Sequence, residues 1–189
     1  MNIGQVCDMM HAICLADSVT EADQQTLMLA ALLHDNAKPE TSFRKTRDGV
    51  TRIVAPKHAE KGAPKAYRWL LERGFDEPFA QQVAALVKCH MRHLDFVQKS
   101  DQDVQGNQDD QNSQGNAEDT KPNRQRDSYT TLFSLTHDVR PGNLYLLAKL
   151  VEADISGRVK NPAHLKRLVV PQVEEMVALA TQCQVLHGV

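Results

Sequence analysis

The sequence is short of charge excess, of long apolar runs and of paired cysteines, and each absence excludes something. Lys and Arg total 22 against 24 Asp and Glu, a formal net charge of −2, and the sequence pI is near 6.4. A protein that coats nucleic acid shows a strong basic excess, so that class is excluded; a small basic pocket remains compatible. The longest apolar run, Leu27 to Leu33, is far short of the ~20 residues a membrane span needs. Met1 to Met10 has neither the basic start nor the apolar stretch of a secretory signal. The four cysteines, Cys7, Cys14, Cys89 and Cys183, contain no CxxC pair. Scattered thiols fit a reducing compartment better than a disulfide framework, so a cytoplasmic location is expected. There is no GxSxG and no cysteine with a convincing histidine partner, so covalent catalysis has no support.

What is present is ordinary in bulk: 189 residues, 41% hydrophobic and 24% charged. That is enough for a single domain over residues 1–189 with its own core. Most of the chain reads as helix. Val6, Met9, Met10, Ile13 and Cys14 recur with a helical period, and Thr20, Glu21 and Asp23 start a second helix that Pro39 stops. Asp48-Gly49 between two short segments rich in Thr, Phe, Val and Ile predicts a β-hairpin within Ser42 to Val54. Helical patterns resume over His58–Glu72, Glu77 to about His93, Asn143–Arg158 and Ala163–Val185. Residues 99–128 differ: six Gln, four Asn and six Asp, with Val104 and Ala117 as the only apolar side chains. Such a stretch reads as a solvated or disordered insertion. Its seven acids and four bases give −3, leaving +1 for the remainder of the −2 total.

The eight histidines carry most of the functional reading. His34-Asp35 ends the apolar segment Leu27–Leu33, where polar groups are costly without partners. A divalent cation, which takes imidazole nitrogen and carboxylate oxygen together, is one such partner; a helix-terminal His beside a salt-bridged Asp is the alternative. His11 lies on the first amphipathic helix next to Met10, and Asp154 lies among Leu147, Leu150 and Val151. Together they suggest one buried convergence, as helical bundles build metal sites. His90 and His93 share a helix face, and His58 opens another helix. His137-Asp138, just before Arg140-Pro141-Gly142, reads as a loop decoy, His164 and His187 as structural.

The segments LMLAALLHDNAKPET, APKHAEKGAPKAYRWLLERGF, VALVKCHMRH and LLAKLVEADISGR together resemble the HD superfamily of metal-dependent phosphohydrolases. The nearest likeness is to the HD domain attached to bacterial CCA-adding tRNA nucleotidyltransferases, with a second to HD modules coupled to polynucleotide kinases. The resemblance implies an all-α helical bundle of about six helices with one short hairpin. It implies His11, His34, Asp35 and Asp154 as ligands of a first metal, and His58 and His90 as holders of a second metal or of the substrate phosphate. His93 is less clearly placed. Ala37 stands where the family often has glycine, and the insertion after His93 is a further departure. Lys38, four residues after His34, is expected to neutralise a phosphate oxygen. Arg158, four after Asp154, either orients a phosphate or pairs with Asp154 or Glu152.

The implied activity is hydrolysis of a phosphate ester on a nucleotide or nucleic-acid end, such as a 2′,3′-cyclic phosphate, by water activated at a bound cation, with Asp35, Lys38, His58 and His90 as catalytic groups. Mixed His and Asp ligands are compatible with Mn²⁺, Fe²⁺, Co²⁺, Ni²⁺, Zn²⁺ or Mg²⁺. The expected partner is the nucleotide or nucleic-acid end, with no membrane and an open oligomeric state. The rivals are a non-catalytic nucleotide or RNA-end binding module with a structural metal, and a regulatory domain acting through the Gln-rich stretch.

Overall fold

The computed structural model describes residues 3–96, 128–158 and 166–188. Within them the chain forms α1 (Ile3–Ala16), α2 (Glu21–Leu33), α3 (Lys38–Thr41), β1 (Phe43–Arg47), β2 (Val50–Val54), α4 (His58–Leu71), α5 (Glu77–Cys89), a 3₁₀ turn (Arg92–Asp95), α6 (Ser128–Asp138), α7 (Leu144–Ser156) and α8 (Pro171–Gln182). The fold is all-α with one hairpin. Seven long helices and the single-turn α3 stand among the described residues, where six were expected. The Gln/Asn/Asp-rich reading of 99–128 falls, apart from Ser128, outside the described residues, as does His164.

Local chemistry sets the helix starts. The Thr20 side chain accepts from the Asp23 amide, Asp76 from Phe79 and Asn143 from Leu146, each covering an amide that the first turn leaves unpaired. Pro39 does not end α2 as its position suggests. That helix closes at Leu33, with His34 as its cap, and Pro39 sits in the first turn of α3, where its missing N–H costs nothing. The hairpin has the predicted two-residue turn: Asp48 and Gly49 both take positive φ, 52° and 74°, the left-handed pair that matches strand twist.

α7 is the central helix. Leu144, Leu146, Leu147, Leu150, Val151 and Ala153 are buried on several faces at once, and α1, α2, α5 and α8 pack around it. The apolar stripe of α1 (Val6, Met9, Met10, Ile13, Cys14) closes one side. Each such fully buried aliphatic side chain contributes about 1.5–3 kcal/mol of transfer free energy. No described helix is long and apolar enough to cross a membrane, and all four cysteines are free thiols.

The unforeseen helix is α6. His137-Asp138 therefore closes an eleven-residue helix rather than lying in a loop. Its chemistry is structural: Asp138 takes the Arg92 guanidinium at 2.5 Å and the Lys88 ammonium at 3.4 Å, tying α6 to the end of α5.

Candidate metal centre

Five polar side chains meet where the ends of α2, α5 and α7 face the start of α4. His34, Asp154, His90, Asp35 and His58 are 0, 1, 1, 5 and 7% exposed. Each imidazole is oriented by its own backbone. His34 Nδ1 lies 2.8 Å from the Ala31 carbonyl, His58 Nδ1 2.7 Å from Ala55 and His90 Nδ1 2.7 Å from Val87. A carbonyl only accepts, so Nδ1 carries the proton in all three, and Nε2 is the atom turned into the cluster.

Asp35 divides its oxygens. Oδ1 faces His58 Nε2 at 3.4 Å and His90 Nε2 at 4.0 Å. Oδ2 faces His34 Nε2 at 3.2 Å and the Lys38 ammonium at 2.7 Å. His34 Nε2 also approaches Asp154 Oδ1 at 3.3 Å, and Arg158 forks onto both Asp154 oxygens. His58 and His90 point Nε2 at Nε2 across 3.2 Å. With Nδ1 donating on both rings, the two Nε2 atoms are turned toward each other and toward a carboxylate oxygen.

Protons partly relieve this crowding. Burial opposes a charge on His34, yet the carboxylates of Asp154 and Asp35 outweigh it and hold the imidazole up at about 9. Burial also works against the charge on Asp35, but His34 and Lys38 bring it down to about 2. Asp154 is likewise held below the ordinary carboxylate range by His34 and Arg158, against its burial. Burial pushes His90 down to about 4. The relief is incomplete. His34 Nε2 and Asp35 Oδ1 are buried and aligned with no hydrogen-bond partner. A buried polar atom without a directed partner is costly. A divalent cation accepts lone pairs from imidazole and carboxylate alike, so this donor set fits one. Among the described residues, Asp35, His58 and His90 are the group whose donor atoms all lie within 4.8 Å of one another.

Residues 6–124, more than half of the chain, match the HD domain family. The chain belongs to that family. HD domains are generally hydrolases that bind divalent metal, and the buried cluster gives this one the donors for it. No curated protein and no solved structure matches the chain.

In this HD domain the structure brings together His34, Asp35, Asp154, His58 and His90, and leaves His11 out. His11 is exposed on the outer side of α1. Its sequence neighbour Met10 is buried, but one residue along a helix is a rotation of about 100°, and the inward stripe runs through Val6, Met10 and Ile13. The α1 residue that reaches the end of α7 is Val6, packed against Gly157. Lys38 also differs from its expectation. The chain turns between His34 and Ala37, so the four-residue spacing does not put Lys38 on the His34 helix; it opens α3 and binds Asp35. Of the two carboxylates weighed as partners for Arg158, Asp154 is the one it pairs with, while Glu152 pairs with Arg167 at 2.6 Å. Ala37 has φ −100°, which needs no glycine. His93 is buried with Nδ1 donating to the His90 carbonyl at 2.9 Å, and burial lowers its pKa.

Asn36 went unnoticed in the sequence. Its amide donates to the Gly62 carbonyl at 3.2 Å, and a Cβ on Gly62 would lie 2.6 Å from Asn36 Oδ1. The bond fixes the turn carrying Asp35 against the helix carrying His58. The signal available was the spacing His58-x-x-x-Gly62, which puts a residue without a side chain one turn after a site histidine.

The raised pKa of His34 has a measurable consequence in metal-free protein. Its folded value of about 9 exceeds the ordinary 6.5, so the imidazolium contributes stability that is complete below pH 6.5 and is lost as pH rises toward 9. Melting temperatures of chelator-treated protein should fall across that window. His34→Gln should flatten the fall; an identical profile in the variant would refute the charge assignment.

Proposed function

We propose that this HD domain is a metal-dependent phosphohydrolase acting on a nucleotide or nucleic-acid-end phosphate, such as a 2′,3′-cyclic phosphate. One observation carries the reading: three inward Nε2 atoms and a carboxylate oxygen converge in a buried space, with Nδ1 of every ring already committed to a carbonyl. His34, Asp35 and Asp154 form one half of the donor set and His58 and His90 the other, joined through the two oxygens of Asp35. When bound, a divalent cation supplies a Lewis acid for the phosphoryl oxygen and lowers the pKa of a coordinated water.

The remaining chemistry belongs to the side chains. Lys38, partly exposed beside Asp35, sets a positive charge at the rim where an anionic phosphate enters. Water is the nucleophile, attacking phosphorus as the ester P–O bond breaks and the leaving oxygen takes a proton. The nearest thiol in sequence, Cys89, is fully buried, and burial pushes it up to about 11, so it supplies no thiolate. The resemblance to the HD domain of CCA-adding enzymes supports a substrate at an RNA end.

A second reading has its own support. Lys38 and Arg158 already neutralise Asp35 and Asp154, as they would in a nucleotide-binding module that holds a metal only structurally. Activity separates the two. Chelator-treated protein should be inactive on bis-p-nitrophenyl phosphate and 2′,3′-cyclic AMP, and Mn²⁺, Co²⁺ or Ni²⁺ should restore turnover. A fully metallated protein that cleaves no phosphomonoester, cyclic phosphate or diester would leave the binding module standing.

A further inference from the structure

The hairpin joins the two halves of the metal centre. It leaves α3 shortly after Lys38 and returns to Ala55, whose carbonyl positions His58. All ten strand residues are exposed except Val54, which is half-buried. No core requirement explains its side chains, and they are strongly biased. Residues 43–57 carry Arg44, Lys45, Arg47, Arg52 and Lys57 against Asp48 alone, a net charge of +4 (five minus one) in a chain of −2.

The register concentrates this charge. Phe43 pairs with Val54, Lys45 with Arg52 and Arg47 with Val50, so these six share one face. Like charges placed directly opposite each other destabilise a two-stranded ribbon, and a lone hairpin is marginal to begin with. Arg47 has Asp48 at 3.5 Å. Among the described residues no carboxylate pairs with Lys45 or Arg52. The same face exposes Phe43 by 52% and Val50 by 53%. An opposed cation pair beside an exposed aromatic ring complements phosphates strung along a chain, with a base free to stack.

We infer that this hairpin face docks a single nucleic-acid strand and leads its terminal phosphate to the metal centre. The inference rests on the phosphohydrolase reading and narrows its substrate class from nucleotides to strand ends. A single strand is favoured over a duplex because the centre is buried, with His34, His90 and Asp154 at most 1% exposed, which suits one flexible strand end better than a rigid double helix.

The test measures binding of a labelled single-stranded RNA dodecamer with a 3′-phosphate to the full chain in chelator, by fluorescence anisotropy across a salt series. Three facing cations should give a slope of log K against log salt of roughly −2. Lys45→Glu is the informative variant. It places a carboxylate opposite Arg52, an attractive pair, so melting temperature should hold or rise while RNA binding weakens about tenfold or more. Arg52→Gln should weaken binding without unfolding. Equal binding by Lys45→Glu, equal binding of polyglutamate or anionic vesicles, or preference for a duplex would overturn the inference. A protein that hydrolyses nothing yet binds RNA through this face would support it while removing the hydrolase reading beneath.

Discussion

Asp35→Ala should empty the centre of divalent metal and lower phosphate-ester turnover by at least ~10³-fold, an effect of about 4 kcal/mol or more on the barrier. Among the described residues, Asp35 is the carboxylate that faces both halves. Its Oδ1 meets His58 and His90, its Oδ2 meets His34 and Lys38. Without it, His58 and His90 keep their carbonyl anchors on Ala55 and Val87, but no carboxylate of the described cluster remains on that side. The Lys38 ammonium, 2.7 Å from Asp35 Oδ2, loses that carboxylate as well. The fold should survive, because Asp35 contributes to none of the apolar packing around α7. Elemental analysis, circular dichroism and turnover would be read on the same preparation. His11→Ala is the matched control: exposed on α1 and outside the converging donor group, it should leave all three unchanged. Full metal content in folded Asp35→Ala, or metal loss in His11→Ala, would overturn the arrangement.

The contrast between these residues shows what the sequence could and could not disclose. His34, Asp35 and Asp154 stood out because each is polar on an otherwise apolar element, and cost of burial points inward at such places; His58 and His90 were legible through the family resemblance, since α4 carries Glu60, Lys61, Lys65 and Arg68. The hairpin was legible because Asp-Gly is one of few dipeptides at ease with two consecutive positive φ values. His11 misled because adjacency to Met10 along the chain is not adjacency on a helix face. For Lys38 the helical spacing misled, because i,i+4 logic assumes an unbroken helix and α2 ends at Leu33. α6 was hidden by its own composition. Three threonines and two serines lower helix propensity in SYTTLFSLTHD, and tertiary packing of Leu132 and Leu135 in the core outweighs it. The Arg92–Asp138 pair spans 46 positions, and no local pattern announces a partner so distant. The overall class was legible from periodicity; pairings across the core were not, because they depend on which helix meets which.

Gly157→Ala should be the most damaging single-methyl change in the core, and it should reach the metal centre through backbone rather than through a ligand. Gly157 caps α7 with φ −72°, so it is not there for conformational freedom. It is there for space: a Cβ would sit 2.8 Å from Val6 Cα, 2.9 Å from Val6 Cγ2 and 2.9 Å from the Ala153 carbonyl oxygen. Two of those atoms are backbone and cannot rotate away, so α1 and α7 must separate. Overpacking of this kind costs about 1–3 kcal/mol; at roughly 2–4 °C per kcal/mol for a chain of this size, melting should fall by about 5–10 °C. Asp154 lies three residues before Gly157 and Arg158 one after, so the same displacement shifts the Asp154 carboxylate relative to His34 Nε2, now at 3.3 Å. Divalent-metal affinity should therefore fall with stability, although no ligand has been touched. Val6→Ala in the same chain should restore only part of the loss, since it removes the Cγ2 clash and leaves the Cα clash. An unchanged melting temperature in Gly157→Ala, or complete rescue by Val6→Ala, would show that the helices have slack at this contact and that α1 does not hold α7 in register with the site.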